Sequence, residues 1–156
     1  MSKARRAKES DIEQIVQLSL AVQKLHSNRY PELFKEVVST DELSDFFRTL
    51  FGHHDHYIFV TELGESITGY CWAELIQTNE SPITHRIRKL YIHQICVDER
   101  YRGKGLGKIL VRETVSLANG LNVNHVGADS WSFNSRAVDF FRSQGFNSHN
   151  ERMWLK

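Results

Sequence analysis

No apolar run in this sequence approaches the ~18 residues that a membrane-spanning helix needs, and the amino terminus, Met-Ser-Lys-Ala-Arg-Arg, lacks the apolar core of a secretory signal. The expected location is the cytoplasm, with no membrane partner. Charge of one sign is also missing: 20 Lys and Arg against 19 Asp and Glu leave a formal charge of +1. That balance excludes a general nucleic-acid binder, whose footprint is a strongly basic face. Cysteine is scarce, and both examples, Cys71 and Cys96, lie in apolar, strand-like runs where reduced, packed thiols are usual. No disulfide is expected, and their spacing does not suggest a zinc site. With 156 residues, 40% of them hydrophobic, and neither repeats nor low-complexity tracts, the chain reads as one domain over 1–156.

Among what is present, residues 95–107, Ile-Cys-Val-Asp-Glu-Arg-Tyr-Arg-Gly-Lys-Gly-Leu-Gly, are the most informative. An apolar strand runs there into a basic, glycine-rich turn that opens a helix. Gly103, Gly105 and Gly107 let the backbone approach a ligand without Cβ interference. Amides at a helix N-terminus have no intrahelical partner, so such a turn suits phosphate. Five basic residues between Arg100 and Arg112, with no acid among them, reinforce the preference for a pyrophosphate. Two other phosphate loops are excluded. The dinucleotide pattern G-x-G-x-x-G meets Lys108 where its third glycine belongs, and the Walker pattern meets Arg102 and Ile109 at required positions.

The pattern that fits is R-x-x-G-x-G, read as Arg102, Gly105 and Gly107. Further on stands Asn134-Ser-Arg-Ala-Val-Asp-Phe-Phe-Arg-Ser-Gln-Gly-Phe146. Together they resemble the acetyl-CoA-binding loop and the following N-x-x-A-x-x-[FL]-Y-x-x-x-G-F helix of the GNAT superfamily of N-acetyltransferases.

Periodicity places a short strand at 3–7, a helix from a Ser10–Glu13 capping box to about His26, and a second helix from a Ser39–Glu42 box to Gly52. Strands follow at 57–62, 68–77 and 86–97, then a helix at 105–119, a strand at 124–129, a helix at 134–144 and a last strand at 146–155. This order, β-α-α-β-β-β-α-β-α-β, is an α/β fold. It is also the order of the GNAT fold, a mixed twisted central sheet flanked by helices, so the resemblance covers essentially the whole chain.

The resemblance implies an N-acetyltransferase that moves acetyl from acetyl-CoA to a primary amine on a small molecule or a protein, by direct attack and with no metal. It implies that Ile95, Cys96 and Val97 pair with the pantetheine arm in a cleft between two splayed parallel strands. Arg102, Gly103, Lys104, Gly105, Leu106, Gly107 and Lys108 would take the pyrophosphate. Asn134, Ala137, Phe140 and Phe141 would line the thiol end. Homodimers are common in the family. Strict alternation sorts Tyr91, His93, Ile95 and Val97 onto one face and Leu90, Ile92, Gln94 and Cys96 onto the other. Family bases occupy the positions of Tyr91 and His93; His93 is the first candidate, since imidazole titrates near ~6.5. Glu74 on the adjacent expected strand is the second. Alternation directs Cys96 away from His93, which leaves it a packing role. Phe141 stands where the family usually has a tyrosine acting as general acid, and phenylalanine has no proton to give. That departure keeps a second reading open, a non-catalytic acyl-CoA-binding module. The cluster His53-His-Asp-His56 reads as a solvated turn, not a metal site. The loop with Tyr30, Pro31 and Phe34 falls where the family shapes its acceptor pocket.

Overall fold

The computed structural model describes residues 3–36 and 38–155. Its centre is a five-stranded sheet in the order β1-β2-β3-β4-β5, with β1 Ala4–Arg6, β2 His56–Leu63, β3 Ser66–Gln77, β4 Arg88–Val97 and β5 His125–Ala128. The first four strands pair antiparallel, and β5 joins β4 in parallel. Four helices cover the sheet: α1 Ile12–Arg29, α2 Thr40–Phe51, α3 Leu106–Gly120 and α4 Ser135–Ser143. The parallel pairing of β4 and β5 requires a crossover, and α3 supplies it. None of the helices described is long and apolar enough to cross a membrane.

The apolar stripes decide which helix goes where. On one face, Ile12, Ile15 and Val16 of α1 and Phe47 and Leu50 of α2 pack with Ile58, Val60, Ile67, Tyr70 and Cys96. On the other, Leu110 and Ala118 of α3 and Phe141 of α4 pack with Phe59, Cys71, Ala73, Leu90 and Ile92. The α2 terminus is set by its sequence: Ser39 Oγ accepts from the Glu42 amide at 3.3 Å, and Gly52 ends the helix. At α1 the expected Ser10 cap is replaced by a 3-10 turn, Glu9–Asp11. There Asp11 takes the Lys8 amide at 2.8 Å and a bidentate pair from Arg5 at 2.7 and 3.0 Å.

The last expected strand, 146–155, is not formed. Phe146 still packs on Phe141, with ring centroids 5.2 Å apart. Asn147-Ser-His-Asn-Glu151 has no apolar alternation to bury, however, and Met153, Trp154 and Leu155 are largely exposed. The β5 strand is therefore an edge of the described sheet.

Candidate active site

The β4 strand carries the geometry. Its pairing with β5 stops at Ile92 opposite Ala128, while its pairing with β3 continues to Val97 opposite Gly69. Residues 93–97 thus have a strand partner on one side only, and the parallel ladder with β5 ends at Ala128. The β4 strand leads from this stretch, unpaired on its β5 side, into the glycine loop.

In register with that stretch lies a β-bulge. Trp72 pairs with Gln94 and Ala73 with Ile92, so His93 is the extra residue. The bulge corrects the strict alternation expected from sequence. Leu90 and Ile92 share a face with Ile95 and Val97, in the cluster beneath α3 and α4. Cys96 belongs to the opposite cluster, and Gln94, accepting from the Tyr70 hydroxyl at 2.8 Å, lies on that same face. Tyr91 and His93 lie on it too, so Cys96 is not turned away from His93. Its packing role has another basis: it is 7% exposed, its thiol points to the Leu18 carbonyl at 3.6 Å, and burial pushes its pKa up to about 11.

Around His93 a polar cluster converges from three strands. His93 Nε2 lies 2.6 Å from Glu74 Oε2. Its ring stacks on Trp72 with centroids 4.3 Å apart and planes 23° from parallel. The Trp72 indole N–H donates to His56 Nδ1 at 3.1 Å, which fixes the other nitrogen of His56 as the protonated one. Burial holds the His56 pKa below its ordinary value, opposed by the Glu74 charge. Tyr91 meets His93 edge-on at 5.0 Å. Burial, and then a hydrogen bond to the Asp129 carboxylate, raise the Tyr91 phenol well above its usual range, so it keeps its proton at neutral pH. The reading of His53–His56 as a solvated turn holds for His53 and His54, which are exposed, and fails for His56, which begins β2 and props Trp72.

The glycine loop fits an anion. Gly105 stands at φ +77° as the N-cap of α3, and no side chain caps the helix. The first-turn amides up to Lys108 precede the first helical bond, which runs from Ile109 N to Gly105 O at 3.1 Å, and so remain open as donors. A Cβ on Gly107 would come within 2.9 Å of the Phe140 ring, so this glycine is what lets α4 lie against the loop. The loop's cations are not equally available. Arg102 donates from Nε to the Val97 carbonyl at 3.1 Å and pairs with Glu99 at 3.1 Å, while Arg100 is held by Asp98 at 2.7 Å. Asn134 caps α4, its Oδ1 accepting from the Ala137 amide at 3.2 Å. Phe141, 8% exposed, is a core residue between Phe140 and Phe146.

On the α1 side, an aromatic wall joins two connections. His26, Tyr30 and Phe34 meet Trp131 and Phe133, which closely follow the end of β5, at centroid distances from 5.0 to 6.3 Å. Sequence reasoning missed the Trp72 stack, the His56 prop and Asp129. The available signal was Trp72 and Glu74 at alternate positions of one strand and Tyr91 and His93 at alternate positions of the next.

A sheet whose one parallel pair ends beside a bulge, running into an uncapped helix start with glycine at the contact points, is the arrangement of the GNAT fold. The chain belongs to the acetyltransferase (GNAT) family, whose model matches residues 20–146. It is 31% identical over 101 residues to the N-alpha-acetyltransferase RimI of Mycobacterium tuberculosis, a match covering 65% of this chain and 58% of that protein. Its fold is similar to that of a point mutant of the BH1408 protein of Bacillus halodurans, at 25% identity and a TM-score of 0.89 over 98% of both chains. It also resembles, in fold alone, the aminoglycoside N-acetyltransferase AAC(6')-Iy solved with CoA, at 12% identity and a TM-score of 0.78 over 100% of this chain and 94% of that one.

Proposed function

We propose that the protein transfers an acetyl group from acetyl-CoA to the primary amine of a small molecule or a protein, by direct attack with both substrates bound. The observation that carries this reading is the continuity of residues 93–97, left unpaired on the β5 side, with the open amides of α3. Acetyl-CoA, when bound, supplies the acetyl group as an activated thioester. The backbone of Ile95, Cys96 and Val97 flanks its pantetheine arm, and Leu106, Gly107 and Lys108 offer amides to its pyrophosphate, with Gly103, Lys104 and Gly105 shaping the turn. Arg102 contributes by tying the loop to Val97. Phe140, Ala137 and Asn134 border the thiol end, and Phe141 supports them from the core.

His93 is the base in this reading. A carboxylate only accepts, so Glu74 draws the imidazole proton to Nε2 and leaves Nδ1 free to take a proton from the incoming ammonium. Glu74 and Trp72 orient the ring, and Tyr91, which keeps its phenolic proton, positions it from the edge. The aromatic wall of His26, Tyr30, Phe34, Trp131 and Phe133 faces the acceptor. The names of the relatives, an N-alpha-acetyltransferase and an aminoglycoside N-acetyltransferase, support an amine acceptor. Two buried reduced cysteines accord with a cytoplasmic setting.

A non-catalytic acyl-CoA-binding module is the second reading, favoured by Phe141 at the proton-donor position. Release of CoA thiol from acetyl-CoA over a panel of amines separates the two. Turnover that falls on His93→Ala while acetyl-CoA affinity holds supports the transferase. Tight binding with no turnover on any amine supports the module.

A further inference from the structure

Consecutive residues of a regular strand point to opposite faces, yet the bulge in β4 gives His93 and Gln94 the same one. The His93 ring stacks on Trp72, and the Gln94 carboxamide meets the Tyr70 hydroxyl at 2.8 Å. Trp72 and Tyr70 both belong to the face under α1 and α2. The extra residue therefore sets a carboxamide directly beside the proposed base, with Cα atoms about 3.8 Å apart.

A buried phenol decides which end of that carboxamide is presented. Tyr70 is wholly buried, and burial raises its pKa well above the usual phenol value, so it keeps its proton. A protonated phenol donates, and within a carboxamide only the oxygen accepts. A flipped carboxamide would leave the phenolic proton in the core without an acceptor, a costly state. Gln94 Oε1 is thus held by Tyr70, and the Nε2 group, which has no partner among the described residues, is left to donate elsewhere.

We propose that Gln94 selects the acceptor: its Nε2 group donates to an oxygen carried a few bonds from the amine that His93 deprotonates, so the preferred substrates are amines with a neighbouring carbonyl or hydroxyl, and plain alkylamines are poor ones. This rests on the acetyl-transfer reading. Two groups of opposite sense stand side by side, His93 to accept a proton and Gln94 to donate a hydrogen bond. One small head carrying an amine and an oxygen satisfies both. An alkylamine covers the Nε2 group without pairing it, and a site that hydrogen-bonds its substrate rejects the analogue that lacks the partner. Tyr70 is the positioning residue, since it fixes the sense of the carboxamide from the core.

The test measures kcat/KM of the full chain with acetyl-CoA and three amines, alaninamide, alaninol and isopropylamine, which share an amine on a methyl-bearing carbon and differ in the oxygen. Each variant is compared with the wild type on the same amine, which cancels the different basicities of the three. Gln94→Glu keeps an acceptor for Tyr70 and removes the donor. It is expected to lower kcat/KM for alaninamide and alaninol about tenfold beyond any change for isopropylamine, which reports the new charge alone. Tyr70→Phe, which lets the carboxamide turn, is expected to cause a loss of the same selectivity, about threefold. A selective loss for alaninamide alone identifies the oxygen as a carbonyl, for alaninol alone as a hydroxyl, and for both as either; each supports the assignment. Equal changes for all three amines would make Gln94 and Tyr70 structural residues and overturn it. So would a wild type that acetylates other amines and none of the oxygen-bearing pair. A wild type that releases no CoA thiol with any amine overturns the acetyl-transfer reading itself and this assignment with it.

Discussion

The glycine loop and the His93 cluster are neighbours along β4 and are built by opposite means. The loop is seven consecutive residues, 102–108, whose useful donors are backbone amides and whose side chains are largely exposed. The cluster is four side chains from three strands, His56, Trp72, Glu74 and His93, held by one stack and two hydrogen bonds. The loop therefore depends on where the chain turns and tolerates most changes of side-chain chemistry. The cluster depends on side-chain identity and on a register that a single bulged residue sets. In the proposed reading binding and chemistry are thus separable, and substitutions can pull them apart.

The strongest way to break them apart is at the cluster. Glu74→Gln removes the charge beside His93 Nε2, and His93→Ala removes the proposed proton acceptor. Each is expected to lower kcat by about a hundredfold or more, the usual contribution of a placed acid or base. Affinity for CoA, measured by calorimetry, is expected to stay unchanged. If both variants lose CoA binding in step with turnover, the two regions form one unit and the contrast fails.

Substitution of a loop glycine should do the reverse, with a smaller effect. Gly107→Val pushes its side chain into the Phe140 ring, where even a Cβ comes within 2.9 Å, and Gly105→Val forces a branched residue to φ +77°. Each is expected to cost about 1–3 kcal/mol of stability and to weaken CoA binding at least about tenfold. The rate of the saturated enzyme should be largely kept. Lys104→Ala, which removes an ammonium lying over the Tyr101 ring at 5.2 Å, should change CoA affinity far less.

The same contrast explains what could be read before the fold was known. The glycine loop was legible because its parts are contiguous and each glycine has a local reason to be there. The α2 helix was legible for a like reason, since Ser39 and the spacing of Leu43, Phe47 and Leu50 act within one element. The bulge at His93 was not legible, because skipping one residue in a ladder leaves no mark in the strand that carries it; alternation consequently misplaced Gln94 and Cys96 relative to His93. The partnership of His56 with Trp72 depends on β2 and β3 meeting in register, with Ile58 opposite Trp72, which no local pattern encodes. The strand expected at 146–155 failed because its first residue, Phe146, is the one apolar side chain there with a place in the core.

The smallest effect concerns the prop beneath the stack. His56 can accept from the Trp72 indole only while its Nδ1 is unprotonated, and burial holds its folded pKa below the unfolded value, near ~6.5. The unfolded chain therefore binds the proton first as the pH drops. Stability from this site is complete above the unfolded value and declines as the pH falls through it toward the folded one. The charges that face His56 are Glu74 and Asp55, which favour protonation, and His93 and His53, which oppose it once charged. His56→Gln keeps an acceptor for the indole and removes the titration. Urea unfolding at pH 7 and pH 5 should show the wild type losing more stability than the variant between the two. The difference should be at most about 1 kcal/mol, the net worth of one neutral hydrogen bond. At pH 7 the variant should keep most of its turnover, because the stack on His93 survives wherever the indole still has a partner. Equal pH slopes in the two proteins would mean that the Trp72 stack stands without His56, and that the cluster is a two-strand device of Glu74, Trp72 and His93 alone.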